Sequence, residues 1–435
     1  MAGRGRGCGG VSKPQSYRQS CINKRSTRLI GSASDDYIGE GTQTDIGSLA
    51  TAYINNEVLR WAFQRAGQSP ESVAEKLATT EARVNEWISG EQRPSFKQAQ
   101  RIAKILQIPF GFLYLPEPPK EQIPVVEFRK LPDSSRKMSR DIFDLLSDIE
   151  FKRDWYRDFR IEEGFDELDF ISRYNADQPA TLIASDIRSE LGRASNSLFV
   201  TRKNFERFLD EFIRAAEKIG IWVMRSGVVG NNTHRTIPIE SLRGFAIADK
   251  IVPLIFLNGR DAKSAQIFTF AHELAHLWIG ESSIDTGDLS DIISTGDQKI
   301  EKKCNAIAAE ILVPSNEFVH QWKHRIELND QVDEIADRFS VSRIVIARRA
   351  LEQNFIGDQD YREFYLQEQK RWSEMDTSRI GGGSYYRTIP SRNGRTFTNA
   401  VAREAAVGRI MFREAGQLLG IQPSKVRELY ERNSA

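Results

Sequence analysis

A chain of 435 residues is long enough for two or three domains with ample core. Its 61 Lys and Arg against 60 Asp and Glu leave a net charge of +1, which excludes a chain-wide basic footprint for nucleic acid. The three cysteines, Cys8, Cys21 and Cys304, are scattered and odd in number. They exclude a disulfide framework and a cysteine-based zinc site, and fit a reducing cytoplasm. No apolar h-region follows Met1, and the longest apolar run, Ile251 to Leu257, is too short for a bilayer, so a soluble cytoplasmic protein is expected. Residues 1–50, rich in Gly, Ser, Arg and Thr, read as a disordered basic tail.

Residues 55–115 carry compact helical punctuation. Leu59, Trp61, Ala62 and Ala66 mark a helix broken at Gly67. Ser69 is placed to cap a second helix with Pro70 at its first position, and Thr80 to cap a third, Glu81 to Ser89, ended by Gly90. Phe96 to Leu106 supplies a fourth. Short helices, tight turns and the small Ala74 where helices cross describe a helix-turn-helix. The run Val84 to Ser95 resembles Cro/repressor-type (XRE) domains, which implies contact with double-stranded DNA through the third helix, with Arg83 and Asn85 as candidate contacts. The same helix exposes Glu81 and Glu86, which suit phosphates poorly. A protein-docking module is the alternative.

Pro116 to Lys120 opens a Pro-rich linker, residues 116–135, and a helical connecting region, 136–219, follows. In it Arg140–Arg160 and Phe205–Ile219 have helical apolar spacing, and Trp155, Tyr156 and Phe159 read as packing residues. After Gly220, short apolar runs at 221–224, 244–249 and 252–257 read as strands. They lead into Gln266–Ile279, which contains no Gly or Pro and reads as a buried helix, capped by Asp261 or Ser264. It holds His272-Glu273-Leu274-Ala275-His276. On a helix the two histidines lie one turn apart on one face, where both ring nitrogens can meet one cation. Glu273 beside them can accept a proton from water.

Catalytic zinc takes three protein ligands. Residues 286–296 are loop-like, whereas Lys299 to Leu312 is helical and stopped by Pro314. Glu301 and Glu310, nine residues apart, differ by about half a turn, so only one can face a metal. Glu301 is the choice as third ligand, with Asn305, one turn on, as its supporting partner. Zinc over manganese is the default for such a set.

Four segments, Arg243–Phe245, Pro253–Asn258, Phe268–His276 and Glu301–Pro314, together resemble the ImmA/IrrE family of zinc metallopeptidases over about Ile221 to Arg349. The resemblance implies an α+β chain: a zincin-like domain with a small sheet and active-site helices, residues 220–330, beside all-α helix-turn-helix domains. It also implies a gluzincin-like site of His272, His276 and Glu301 around one Zn2+, Glu273 as base, and a regulatory protein of repressor or antitoxin type as substrate. Gly244–Asp249 offers an edge for a substrate strand. An oxyanion-stabilising donor is not assigned; His234, His320 and His324 are candidates, and the last two read as a surface pair. Residues 331–356 and 384–435 repeat the helix-turn-helix cadence and are taken as helical packing or docking elements, with a flexible break at Gly381–Gly383. The competing function is a DNA-binding regulator or antitoxin whose metal domain is structural or sensory.

Overall fold

The computed structural model describes residues 50–119, 139–195, 198–199, 204–281, 283–285, 297–323, 326–374 and 385–434. The expected basic tail, nearly all of the Pro-rich linker, the loop 286–296, His324 and the Gly381–Gly383 break lie outside them. The chain divides into two compact units, with the boundary near residue 116.

The first unit is four helices and a 3-10 turn: α1 (Asn56–Ala66), α2 (Pro70–Leu77), α3 (Glu81–Ser89), α4 (Phe96–Ile105) and Phe110–Tyr114. Its boundaries follow from capping chemistry. Ser69 Oγ accepts from Ser72 N at 3.2 Å, and Thr80 Oγ1 accepts from Arg83 N at 3.3 Å. Ser95 and Gln98 close a reciprocal capping box at the start of α4. Gly90 ends α3 at φ 91°, where a Cβ would overlap the Asn56 side chain. Val58, Leu59, Val73, Val84, Trp87 and Ile102 fill the centre.

The second unit is built on a four-stranded sheet, ordered β1-β3-β2-β4. β1 (Trp222–Ser226) runs parallel to β3 (Leu254–Asn258), while β2 (Gly244–Ile247) pairs antiparallel with β3 and with β4 (Ser283–Asp285). Both faces of β1, β2 and β3 are buried, which is why these strands read as continuous apolar runs rather than alternating ones. Val223, Ala246, Ile255 and Leu257 face one core, formed with α6 (Ala180–Ala194), α7 (Phe205–Lys218), α8 (Lys263–Ile279) and α9 (Asp297–Leu312). α10 (Ser315–Gln321), α11 (Leu328–Phe339), α12 (Arg343–Glu352) and α13 (Asp358–Glu374) extend that layer. Trp222, Met224, Phe245, Ile247, Leu254 and Phe256 face a second core on the other side.

That second core is closed by α5 (Arg140–Glu162) and by α14 (Tyr385–Asn393), α15 (Arg395–Ala406), α16 (Phe412–Leu419) and α17 (Pro423–Ser434). Trp222 stacks on Phe397 with centroids 4.9 Å apart, and Tyr156 meets both rings edge-on. Asn393 pins the seam: its carbonyl accepts from Trp222 Nε1 at 2.6 Å, and its Oδ1 accepts from the buried Lys152 Nζ at 2.9 Å. The aromatic run Trp155, Tyr156 and Phe159 is therefore packing.

Two sequence expectations change. Neither Asp261 nor Ser264 caps α8: Ala262 occupies the N-cap with no side-chain bond, and Asp261 Oδ1 accepts from Ala262 N instead. β2 is not an open edge, because β4 already pairs with Gly244 to Ala246; three residues are too few to show as a strand in sequence. Arg343, Arg348 and Arg349 of α12 are engaged, as a packing or docking element requires. Arg343 bridges Asp333 and Glu368, Arg348 meets Glu352, and Arg349 is buried. Among the described residues no helix is long and apolar enough to cross a membrane.

Candidate metal centre

α8 is the most enclosed helix beside the sheet, with every residue from Thr269 to Ile279 buried. Ile267, Phe270, Ala271, Leu274, Ala275, Leu277 and Trp278 join the first core. This fixes the remaining face, on which His272 and His276 lie 6% and 1% exposed. Their Nε2 atoms stand 3.0 Å apart. Glu301, on the first turns of α9, places Oε2 at 3.1 Å from His272 Nε2 and Oε1 at 3.4 Å from His276 Nε2. One His-His-Glu cluster of metal-binding geometry therefore exists among the described residues.

The chemistry of this set suits a cation. His272 Nδ1 lies 3.1 Å from Asn305 Oδ1, an acceptor, so Nδ1 carries the proton and Nε2 presents its lone pair to the cluster. Burial holds the His276 imidazole below its usual pKa, against the opposing pull of Glu301, with His272 adding to the lowering. Burial pushes the Glu301 carboxyl up, but hydrogen bonds and charge from His272 and His276 outweigh it and leave it well below the usual range. Neutral imidazoles and an anionic carboxylate are the ligand forms a divalent metal requires. A divalent metal would take the place of the protons that otherwise join the two Nε2 atoms to Glu301.

Glu273 is fully buried on the same turn. A Cβ on Gly244 would stand 3.3 Å from Glu273 Oε1, 2.6 Å from Thr269 Cγ2 and 3.0 Å from the Phe256 carbonyl, so the carboxylate lies against β2 where only glycine fits. Gly244→Ala is expected to cost roughly 1–3 kcal/mol through overpacking. Thr269→Ala, which removes the nearest obstructing methyl, restores part of it in the double variant. Thermal melts of the three proteins check this, and an additive double variant would refute the contact.

Glu310 is elsewhere. Its carboxylate accepts from Ser315 N at 3.0 Å and Ser315 Oγ at 2.7 Å, and it pairs with Arg349. His320 Nδ1 lies 2.6 Å from the Asn316 carbonyl, and His234 is exposed, so neither is tied to the cluster by a hydrogen bond. In the first unit, Arg83 and Asn85 are exposed on α3. Arg83 is not presented alone: its guanidinium bonds Glu86 at 3.1 Å and Gln92.

Residues 216–351 match the family model of the IrrE N-terminal-like domain, an M78 peptidase family, and residues 59–113 match a helix-turn-helix model. The chain therefore carries an IrrE N-terminal-like peptidase domain preceded by a helix-turn-helix. Residues 393–432 match a domain of unknown function. No curated protein matches the chain. Mapped onto the fold, the IrrE-like domain comprises the sheet and, on one face of it, α8 to α12. The domain of unknown function supplies α15, α16 and most of α17 on the other. Sequence reasoning missed Gly244 as a steric necessity and Arg349 as a buried anchor. Only the Gly in Arg243-Gly244-Phe245, interrupting a strand pattern, hinted at the first.

Proposed function

We propose that this chain is a zinc-dependent endopeptidase of gluzincin type that cleaves a regulatory protein, of repressor or antitoxin kind, in a reducing cytoplasm. The observation carrying this reading is the convergence of His272, His276 and Glu301, with Glu273 buried on the same helical turn. His272, His276 and Glu301 hold the metal, and Asn305 fixes the His272 tautomer. When bound, zinc supplies Lewis-acid chemistry, polarising a carbonyl and making water more acidic. Glu273 accepts the proton from the attacking water and passes it to the departing amine. The buried apolar wall of α8 keeps bulk water from the carboxylate.

Metal content decides the ligand set. At saturating zinc, wild type and Glu310→Ala are expected to bind one equivalent, and Glu301→Ala to lose it. Asn305→Ala weakens zinc binding by about 10–100-fold through the freed tautomer. Zinc lost from Glu310→Ala and kept in Glu301→Ala reverses the assignment.

The helix-turn-helix match supports a second role, binding of double-stranded DNA or of a protein partner by the first unit, with Arg83 and Asn85 as contacts. It leaves open the alternative of a DNA-binding regulator with a sensory metal. A carboxylate beside the ligands distinguishes the two, because a structural or sensory metal has no use for a base there. Duplex binding that persists in Glu301→Ala, with no proteolysis by wild type, favours the alternative.

A further inference from the structure

α9 holds Glu301 and Asn305 near its first turns, and its far end is gripped by two arginines from different helices. From α6, Arg188 Nη1 donates to the Ile311 carbonyl at 2.7 Å, and its Nη2 donates to Glu317 at 3.1 Å. From α12, Arg349 donates to the Val313 carbonyl through Nε at 3.0 Å and through Nη2 at 2.8 Å. Arg349 also pairs with Glu310 of α9 itself and donates to Glu352 at 3.1 Å. Glu310 in turn accepts from Ser315 at the head of α10.

These bonds satisfy carbonyls that an α-helix leaves unpaired at its C-terminus, and they put two cations where the helix dipole is negative. Their geometric effect is separate. The contact of α9 with the first core, through Cys304, Ile307, Ala308 and Ile311, is apolar and non-directional, and resists sliding along the axis weakly. Hydrogen bonds are directional within tenths of an ångström. Because a helix advances as a rigid rod, a shift at Val313 reappears at Glu301.

We propose that Arg349 and Arg188 are positioning residues of the metal centre: they clamp the C-terminal end of α9 and so hold Glu301 and Asn305 opposite His272 and His276. The proposal rests on the metallopeptidase reading of that centre. It also gives the α11–α12 pair a task, since one of the two arginines comes from it.

The experiment is the zinc dissociation constant of the full-length protein, by competition with a chromophoric chelator well below each variant's melting temperature. Arg349→Met and Arg188→Met are expected to weaken zinc about tenfold or more, the range of other supporting contacts, with far-UV circular dichroism unchanged. Arg349→Lys, a point donor in place of a fork, falls between. The cobalt(II) forms of the two Met variants should show altered visible ligand-field bands. Leu418→Ala, in the core on the opposite sheet face, is the stability control: it lowers the melting temperature and leaves zinc affinity alone. If the arginine variants melt earlier yet bind zinc like wild type, the clamp serves stability only and the proposal is overturned. Arg188 is partly exposed, so its variant carries the test if Arg349→Met does not fold. Wild type that binds no zinc would instead refute the peptidase reading, which makes the two failures distinct.

Discussion

Glu273→Gln is expected to retain one equivalent of zinc, melt no lower than wild type, and lose cleavage by about 10²–10⁴-fold, the usual contribution of a general base. The amide has the carboxylate's shape, so the packing against Gly244 and Thr269 is preserved. It is also neutral, and burying it on a fully enclosed turn costs less than burying an anion. What it cannot do is accept a proton from water. The proposed substrate is a protein, so the readout is chemical labelling of new N-termini in cells expressing either form. Termini that appear with wild type should vanish with Glu273→Gln. Termini of equal abundance in both would remove Glu273 from the reaction while leaving the metal site intact.

Gly394→Ala should be among the most damaging single methyl groups in the second unit. Gly394 caps α15 at φ 82° and ψ 139°, a conformation open to glycine alone. A Cβ there would stand 2.5 Å from the Trp222 ring and 2.9 Å from the Val223 carbonyl, both in the sheet. Backbone strain and overpacking together amount to roughly 3–5 kcal/mol. In a unit of this size that lowers the melting temperature by about 4–7 °C. Tryptophan fluorescence should report the loss, since Trp222 donates its indole proton to the neighbouring Asn393 carbonyl. A melt within a degree or two of wild type would mean that α15 can back away from β1, contrary to the packing described.

The site and the fold were legible to different depths, for physical reasons. Two histidines four apart around a glutamate state their geometry once the helix is granted, since helical periodicity is local. The half-turn between Glu301 and Glu310 is likewise arithmetic on one helix, and the two carboxylates do occupy different surroundings, the histidines and Arg349. Helix ends such as Ser69, Thr80 and Gly90 were readable because a cap is a short-range hydrogen bond. Non-local partners were not. An apolar stripe says that α15 buries a face, without saying that the face meets Trp222, more than 170 residues away in the chain. The pairing of β4 with β2 depends on only three residues. Arg349 sits in an Arg-Arg pair that looks like surface charge until its carbonyl partners are seen.

The far face of the sheet has a bearing on biosynthesis. Trp222, Phe245 and Phe256 leave the ribosome well before Phe397, Val401 and Leu429, the side chains that will shield them. Until those last helices arrive, only α5 covers that face, and the rest of its apolar surface stays wet. A nascent or truncated chain is therefore a poor platform for holding Glu273 against Gly244. The packing that sets Glu273 against Gly244 is thereby tied to helices translated long after it.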